Sequence, residues 1–338
     1  MTRLLIDTDA GVDDSIAIVY AARSPEVRLE SITTVSGNVP VREVTQNVLY
    51  LKQLLGLSVP VAAGADVPRS RKLVTAPEVH GEDGLGGFRV ARNIFFREWE
   101  DGNAAVEIVN AARKFGKALT ILSLGPMTNL ANAASIDAGA IRGVKSIVQM
   151  GGVFFGYGNT TEFTEFNVYV DPEAVDFLLS SGVKIKFVPL DLTEKLFMPR
   201  DLVDTLLDKS NRNDAQLTSL LRKALHFYIS YHKDREKLDG CYLHDPIAAA
   251  AAVNPEWFRF VNASVSVETK GDLTAGMTIA DFRRRSRKSN SQIAVAFDAV
   301  KALRDITGKV FGQKPDTSTI RSQCLRERFV PHFGNRLR

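Results

Sequence analysis

Short apolar runs that end in polar clusters alternate along this chain with stretches in which apolar residues recur every three to four positions. The first such run, residues 4–6 (Leu-Leu-Ile), leads straight into Asp7, Asp9, Asp13 and Asp14, with Gly11 in the middle of the acidic stretch. Ile16, Ala17, Val19 and Tyr20 then continue at helical spacing, so the pattern predicts a buried strand, a tight turn and a helix. Residues 29–35 alternate as a second strand ending in Ser36-Gly37-Asn38, residues 41–55 carry a helical stripe, and residues 59–62 read as a third strand. Between residues 65 and 102 the pattern breaks into a loop-rich insertion around His80-Gly81-Glu82-Asp83-Gly84; irregular stretches of that length tend to be functional. The alternation then resumes with a helix over 104–115, a strand over 118–124, a helix begun by Pro126, a strand over 144–150, a polar loop over 156–167, a helix after Asp171-Pro172 and a strand over 184–190. Residues 198–231 read as helical with a break near 211–213, His244-Asp245-Pro246 opens an alanine-rich helix to Val253, strands follow over 258–268 and 291–297, and a last helix spans 299–306. Strands alternating with helices predict an α/β fold: one domain over residues 1–310 with a mostly parallel central sheet flanked by helices and an active site at the C-terminal ends of the strands.

Composition adds little beyond exclusions. The chain has 338 residues, 45% hydrophobic and 24% charged, and no apolar run long enough to cross a membrane. The net charge of +4 is carried entirely by the stretch from residue 311 to 338, a basic tail of unknown role. A basic tail is a solvated or subunit-contacting feature more often than a nucleic-acid reader, so no nucleic-acid partner is expected. Cys241 and Cys324 are too far apart for a metal or redox motif. With the first strand beginning three residues in, which leaves no room for a signal peptide, they point to a cytoplasmic protein.

The chemistry concentrates at the first turn. A single Asp there would be an ordinary helix cap. Four on one strand-to-helix turn repel one another strongly, and an all-oxygen set calls for a hard cation such as Ca²⁺ or Mg²⁺ rather than zinc. Asn38, the Leu124-Gly125 turn and the loop holding Asn159, Glu165 and Asn167 also follow strands, and in a parallel sheet those ends share one edge. Amides and carboxylates around a metal suit a hydroxyl-rich ligand such as a sugar.

In their order, DTDAGVDD from Asp7, SGN at Ser36, HGEDGLGG at His80, LGPMTNLA at Leu124, QMGG at Gln149, EFNVYVDPEA at Glu165 and LHDP at Leu243 resemble the calcium-dependent nucleoside hydrolases, which split ribonucleosides into ribose and base. The resemblance implies that Asp9, Asp14, Asp245 and the main-chain carbonyl of Leu124 bind Ca²⁺, and that a Ca²⁺-bound water is activated by Asp9. It implies that Asp13 and Asn38 hold the ribose 2′- and 3′-hydroxyls, and that Asn159, Glu165 and Asn167 hold the 5′ end. His80 and Met150 join the substrate-binding set, and Asp7 supports the turn. His244, titrating near neutrality, is the candidate acid for the leaving base. The run YHKDREKLDGCYLHDP from Tyr231 resembles the uridine-preferring branch, which brings Tyr231 and His232 toward the base. A homodimer or homotetramer is the implied assembly. Trp99 and Trp257 read as packing residues, and Asp281 and Arg283 receive no catalytic role. Phe154, Phe155 and Tyr157 add bulk that would narrow the pocket.

Two other readings compete. A phosphatase of the haloacid dehalogenase type would use Asp7 as nucleophile and Asp9 as acid, but leaves Asp13, Asp14 and His244-Asp245 without work. A non-catalytic Ca²⁺-dependent nucleoside- or ribose-binding protein would keep the metal and ribose residues and needs no acid for the leaving base.

Overall fold

The computed structural model describes residues 1–88, 103–210, 214–283 and 288–327. In chain order it contains β1 (Thr2–Thr8), α1 (Val12–Ala22), β2 (Val27–Thr34), α2 (Val41–Leu54), β3 (Val61–Ala63), the single turn α3 (Pro77–His80), α4 (Ala104–Phe115), β4 (Leu119–Ser123), α5 (Thr128–Arg142) and β5 (Ser146–Met150). Then come α6 (Phe166–Val170), α7 (Pro172–Ser180), β6 (Ile185–Val188), α8 (Leu190–Thr193), β7 (Phe197–Pro199), α9 (Arg200–Asp208), α10 (Ala215–Glu236), β8 (Gly240–Tyr242) and α11 (His244–Val253). The chain finishes with β9 (Phe258–Val267), β10 (Thr278–Asp281), β11 (Ser291–Phe297), α12 (Ala299–Phe311), α13 (Thr317–Thr319) and a π-type turn, Ile320–Cys324.

Among the described residues nine strands form one sheet in the order β10-β9-β11-β6-β5-β4-β1-β2-β3. The seven from β3 to β11 are parallel to their neighbours, while β9 and β10 are antiparallel additions at one edge. Apolar residues of α1, α2, α9, α10, α11 and α12 build the core on one face, and those of α4, α5 and α7 build it on the other. From β1 the chain winds outward to β2 and β3 and then returns to build β4, β5 and β6 on the other side. The β1–β4 junction is therefore the topological switch point, where open α/β sheets present a crevice.

Helix α11 sits in the middle of its face. Its residues from Asp245 to Val253 are all buried, as expected of a helix apolar all round. Five consecutive alanines, Ala248 to Ala252, let it lie close against α1 and the sheet.

The structure corrects several boundaries. Met198 is not helical: residues 197–199 form β7, paired antiparallel with β8 in a separate two-stranded ribbon. Strands of three residues are too short to show a period, which is why the sequence pattern passes over them. The last helix runs five residues further than expected, to Phe311. Beyond it the chain stays folded through residue 327, with Ile320 and Cys324 fully buried. Trp257 packs at the rim of the core, whereas Trp99, the expected break at 211–213 and part of the 65–102 insertion lie outside the described residues. Among the described residues no helix is long and apolar enough to cross a membrane.

Candidate active site

β1 delivers Asp7 and then the Asp9 turn into the switch-point crevice. The turn is forced into an unusual path: Ala10, between Asp9 and Gly11, has φ +35°, a conformation that costs a non-glycine residue energy and occurs where local structure over-determines it. Thr8 is one such determinant, since its Oγ1 accepts from Ala10 N–H at 3.0 Å and donates to Asp14 Oδ1. Asp14 also reaches back to accept from Gly11 N–H at 2.9 Å, one half of a capping box, since Gly11 has no side chain to supply the other. Asp13 Oδ2 lies 3.4 Å from the backbone N–H of Asp245 at the start of α11. Two helix N-termini, those of α1 and α11, thus converge on the carboxylates and partly offset their charge.

Asp13, Asp14 and Asp245 each offer a carboxylate oxygen within 4.8 Å of the other two. Asp9 faces Asp14; its Oδ2 accepts from Asn38 N–H at 2.8 Å, while its Oδ1 is buried without a partner. Burial and mutual repulsion push the carboxyls upward: Asp13 to about 7, Asp9 and Asp245 well above the ordinary value, and Asp14 upward as well. A cluster of buried acids with an orphaned oxygen and, among the described residues, no cationic side chain paired to it fits a hard divalent cation, whose charge would reverse those shifts. The Leu124 carbonyl, at the end of β4, accepts from Asn167 Nδ2 at 2.6 Å and retains a second lone pair.

The glycines of the SGN and LGP motifs make room for Asp9. A Cβ at Gly37 would stand 2.1 Å from Asp9 Oδ2, and one at Gly125 would stand 2.9 Å from Asp9 Cγ. Gly37→Ala is therefore expected to displace Asp9, cutting turnover by at least about a hundredfold and stability by about 1–3 kcal/mol. Activity assays and thermal denaturation check this; wild-type activity in the variant would show that Asp9 need not sit where it does.

Above the carboxylates opens a cavity of about 550 Å³. It brings together Asp13, Asn38, His80, Leu124, Met150, Asn159, Glu165, Asn167, Tyr231, His244 and Asp245, while Asp9 and Asp14 lie below its floor. The polar lining residues are already tied to the backbone. Glu165 caps α6 through Asn167 N–H (2.9 Å) and Val168 N–H (3.2 Å) and also accepts from Gly152 N–H (2.9 Å). Burial raises its carboxyl to about 7. Asn167 donates to Met150 O at 3.1 Å, and Asn159 Oδ1 accepts from Phe166 N–H at 3.0 Å.

A second group of lining residues is aromatic. His80 Nδ1 accepts from Val12 N–H at 3.1 Å, which in the neutral ring leaves the proton on Nε2, and its ring stacks on Tyr228 at 5.6 Å. His232 contacts Tyr228, Tyr231 and Tyr242 at 4.6, 5.5 and 5.3 Å. Its Nδ1 lies 3.1 Å from Glu236, and its Nε2 is buried and unpaired. His244 Nδ1 lies 2.7 Å from Thr193 Oγ1. Burial, with His232 and His80 nearby, pushes His244 down to about 3. That direction favours a neutral, hydrogen-bonding ring over the imidazole titrating near neutrality that the sequence suggests.

Asp7 does not line the cavity. Its Oδ1 accepts from Thr33 Oγ1 at 2.6 Å and Asn129 Nδ2 at 2.8 Å, and its complete burial counts against an exposed nucleophile. Phe154 and Phe155 do not narrow the pocket either. Asp191 accepts from both of their backbone N–H groups, and their rings pack on Phe187 and Phe282; only Tyr157 reaches the cavity wall. Asp281 and Arg283 pair with each other at the exposed sheet edge, away from the cavity.

Two positioning residues escaped the sequence reading. Asn129 ties β1 to β2 by donating to Asp7 and to Thr34 O at 2.8 Å, and accepts from Ala65 N–H at 2.9 Å. Its only signal was its place in LGPMTNLA. Thr193, which holds His244, carried no signal.

Fold and cleft together define an α/β protein with a carboxylate centre at the switch point of its sheet. The chain belongs to the nucleoside hydrolase family: the family described as "Inosine-uridine preferring nucleoside hydrolase" matches residues 4–304. It is similar to the protein named "Probable uridine nucleosidase 1" of Oryza sativa subsp. japonica, 38% identical over 82% of this chain and 85% of the relative. It is also similar to the inosine-uridine preferring nucleoside hydrolase of Crithidia fasciculata, 33% identical over 88% of this chain and 94% of the relative. Among solved structures, the purine-preferring ribonucleoside hydrolase from Gardnerella vaginalis superposes with a TM-score of 0.84 at 31% identity, covering 92% of this chain and 98% of that one. The protein is an enzyme of this hydrolase class.

Proposed function

We propose that the protein releases ribose and free base from ribonucleosides with Ca²⁺ at the carboxylate centre, and that it prefers uridine and other pyrimidine ribosides. The observation that carries this reading is the unpartnered Asp9 Oδ1 beside three mutually close carboxylates, beneath a cavity lined by both polar and aromatic side chains. When bound by Asp9, Asp14, Asp245 and the Leu124 carbonyl, the ion would neutralise the cluster and supply electrophilic stabilisation to the ribose diol.

The protein's own groups do the rest. Asp9 takes the proton of the attacking water. Asp13 and Asn38 hydrogen-bond the 2′- and 3′-hydroxyls, and Asn159, Glu165 and Asn167 orient the 5′ end. As the glycosidic bond breaks, positive charge grows on the ribose, and the surrounding carboxylates and amide oxygens stabilise it. His80, Met150 and the wall of Tyr228, Tyr231, His232 and Tyr242 face the base. His244, neutral and held through Nδ1, offers its other ring nitrogen to the departing base. Among the described residues the cavity is lined by Glu78, Glu194 and Glu236 but by no Lys or Arg, which favours a neutral nucleoside over a phosphorylated one. The uridine preference is supported by the Tyr231–Asp245 run and by the name of the rice relative.

The test is ribose release from uridine, cytidine, inosine and xanthosine, with EDTA and after Ca²⁺ is restored. Uridine is expected to rank first, with activity lost in chelator and regained with Ca²⁺. A folded, Ca²⁺-loaded protein that releases no ribose from any of them would favour the nucleoside-binding reading instead.

A further inference from the structure

The C-terminal segment lies beyond the family match, which ends at residue 304, yet it is docked on the part of the fold that carries the base side of the cavity. After α12, Gln313 Nε2 donates to Lys209 O at 3.2 Å, and Arg304 donates to Pro315 O at 3.0 Å. Ile320 and Cys324 are then fully buried. Leu325 pairs antiparallel with Leu196, and Arg326 N–H donates to Lys195 O at 2.9 Å. The Arg326 guanidinium lies over the Phe197 ring, 4.6 Å from its centroid.

Two lines run inward from there. Phe197 of β7 meets Tyr242 of β8 edge-on at 5.3 Å, and Tyr242 lines the cavity 5.5 Å from the His244 ring. Lys195 follows Thr193 by two residues, and Thr193 Oγ1 is the partner of His244 Nδ1. The β7–β8 ribbon has two strands of three residues and is not part of the main sheet. Such a ribbon is marginal by itself and needs something packed against it. The C-terminal segment packs on the β7 side of the ribbon, while α10 and α9 pack on it elsewhere.

We propose that residues 312–327 are a positioning element for the leaving-group wall of the site, acting through Arg326 on Lys195 and Phe197 and thereby on Tyr242 and His244. This rests on the nucleoside reading above. Hydrogen bonding to a departing base depends on sub-ångström alignment. Loosening the wall should slow substrates whose base needs that help and spare a riboside whose leaving group departs unaided.

The experiment uses the full-length, Ca²⁺-loaded protein with uridine and with p-nitrophenyl β-D-ribofuranoside, whose nitrophenolate leaves without protonation. Arg326→Pro removes both the backbone donor and the guanidinium; Leu325 before it, at φ −85° and ψ 134°, already has the conformation a following proline requires. Arg326→Ala removes the cation alone, and Arg321→Ala on the exposed side of the same segment serves as control. For uridine, kcat is expected to fall about tenfold in Arg326→Pro and about threefold in Arg326→Ala, with the nitrophenyl riboside within about twofold of wild type in both. Arg321→Ala should change neither. Equal losses on both substrates, or no loss on either, would overturn the proposal; if Arg326→Pro fails to fold, the same ratio read in Arg326→Ala decides. A wild-type protein inert toward both substrates would overturn the nucleoside reading, and this inference with it.

Discussion

Asp9→Asn is expected to lower uridine turnover by about three orders of magnitude while leaving the fold intact. The amide oxygen can keep the bond from Asn38 N–H, now made to Asp9 Oδ2 at 2.8 Å, so the Ser36–Asn38 turn has no reason to move. What disappears is the group that can accept a proton, together with one negative charge from a buried cluster. The loss should fall on kcat rather than KM, because Asp13 and Asn38 remain to hold the ribose. Removing a charge also relieves repulsion, so chelated Asp9→Asn should melt above chelated wild type even though it is nearly inactive. Ribose release under saturating substrate, paired with thermal denaturation in EDTA, reads both effects. A kcat loss smaller than about tenfold would remove Asp9 from the role of base.

The second large effect is the dependence of stability on metal and pH together. In the metal-free protein, burial and like charges raise the carboxyls of Asp9, Asp13, Asp14 and Asp245, Asp13 to about 7. Between about pH 4 and 7 the folded chain therefore holds protons that the unfolded chain has released. A raised folded-state pKa contributes stability that is complete below the unfolded value and is lost as pH rises through the folded one. Chelated protein should thus lose stability steadily across that window and stay low above it. With Ca²⁺ present the carboxylates are compensated, and the slope should flatten. EDTA is expected to lower Tm on the order of 5–10 °C at pH 8 and far less at pH 5, where protons already do part of the cation's work. A Tm that responds to EDTA equally at both pH values would mean that the cluster is not what binds the metal.

What could be read in advance followed from how local the signal was. The acidic turn was legible because four carboxylates fall within eight residues between a strand pattern and a helix pattern, although one of them, Asp7, is tied to Thr33 and Asn129 away from the cavity. The parallel sheet was legible because each strand and helix carries its own period. Asn129 was not, because its meaning lies in Asp7, 122 residues away in the chain. Glu165 was recognised as part of the site, but its work as the cap of α6 depends on backbone N–H groups that any sequence would offer. The pKa of His244 could not be read at all: a histidine's burial is a property of what packs around it, here Thr193, Tyr242 and the neighbouring imidazoles. The β7–β8 ribbon and the docked C-terminal segment were missed for a shared reason. Their elements are three to five residues long, shorter than the window over which periodicity is defined.

The alanine run of α11 has a consequence of its own. The side chains of Ala248 to Ala252 contribute no charge, hydrogen bond or proton, yet this helix leads directly from Asp245 and is packed on every side. Any larger side chain there must push the helix outward, and the shift would carry Asp245 away from Asp13 and Asp14. In a saturation-mutagenesis map these five alanines would be as intolerant as the aspartates themselves. A reader of that map alone would draw the boundary of the active site one full helix too wide.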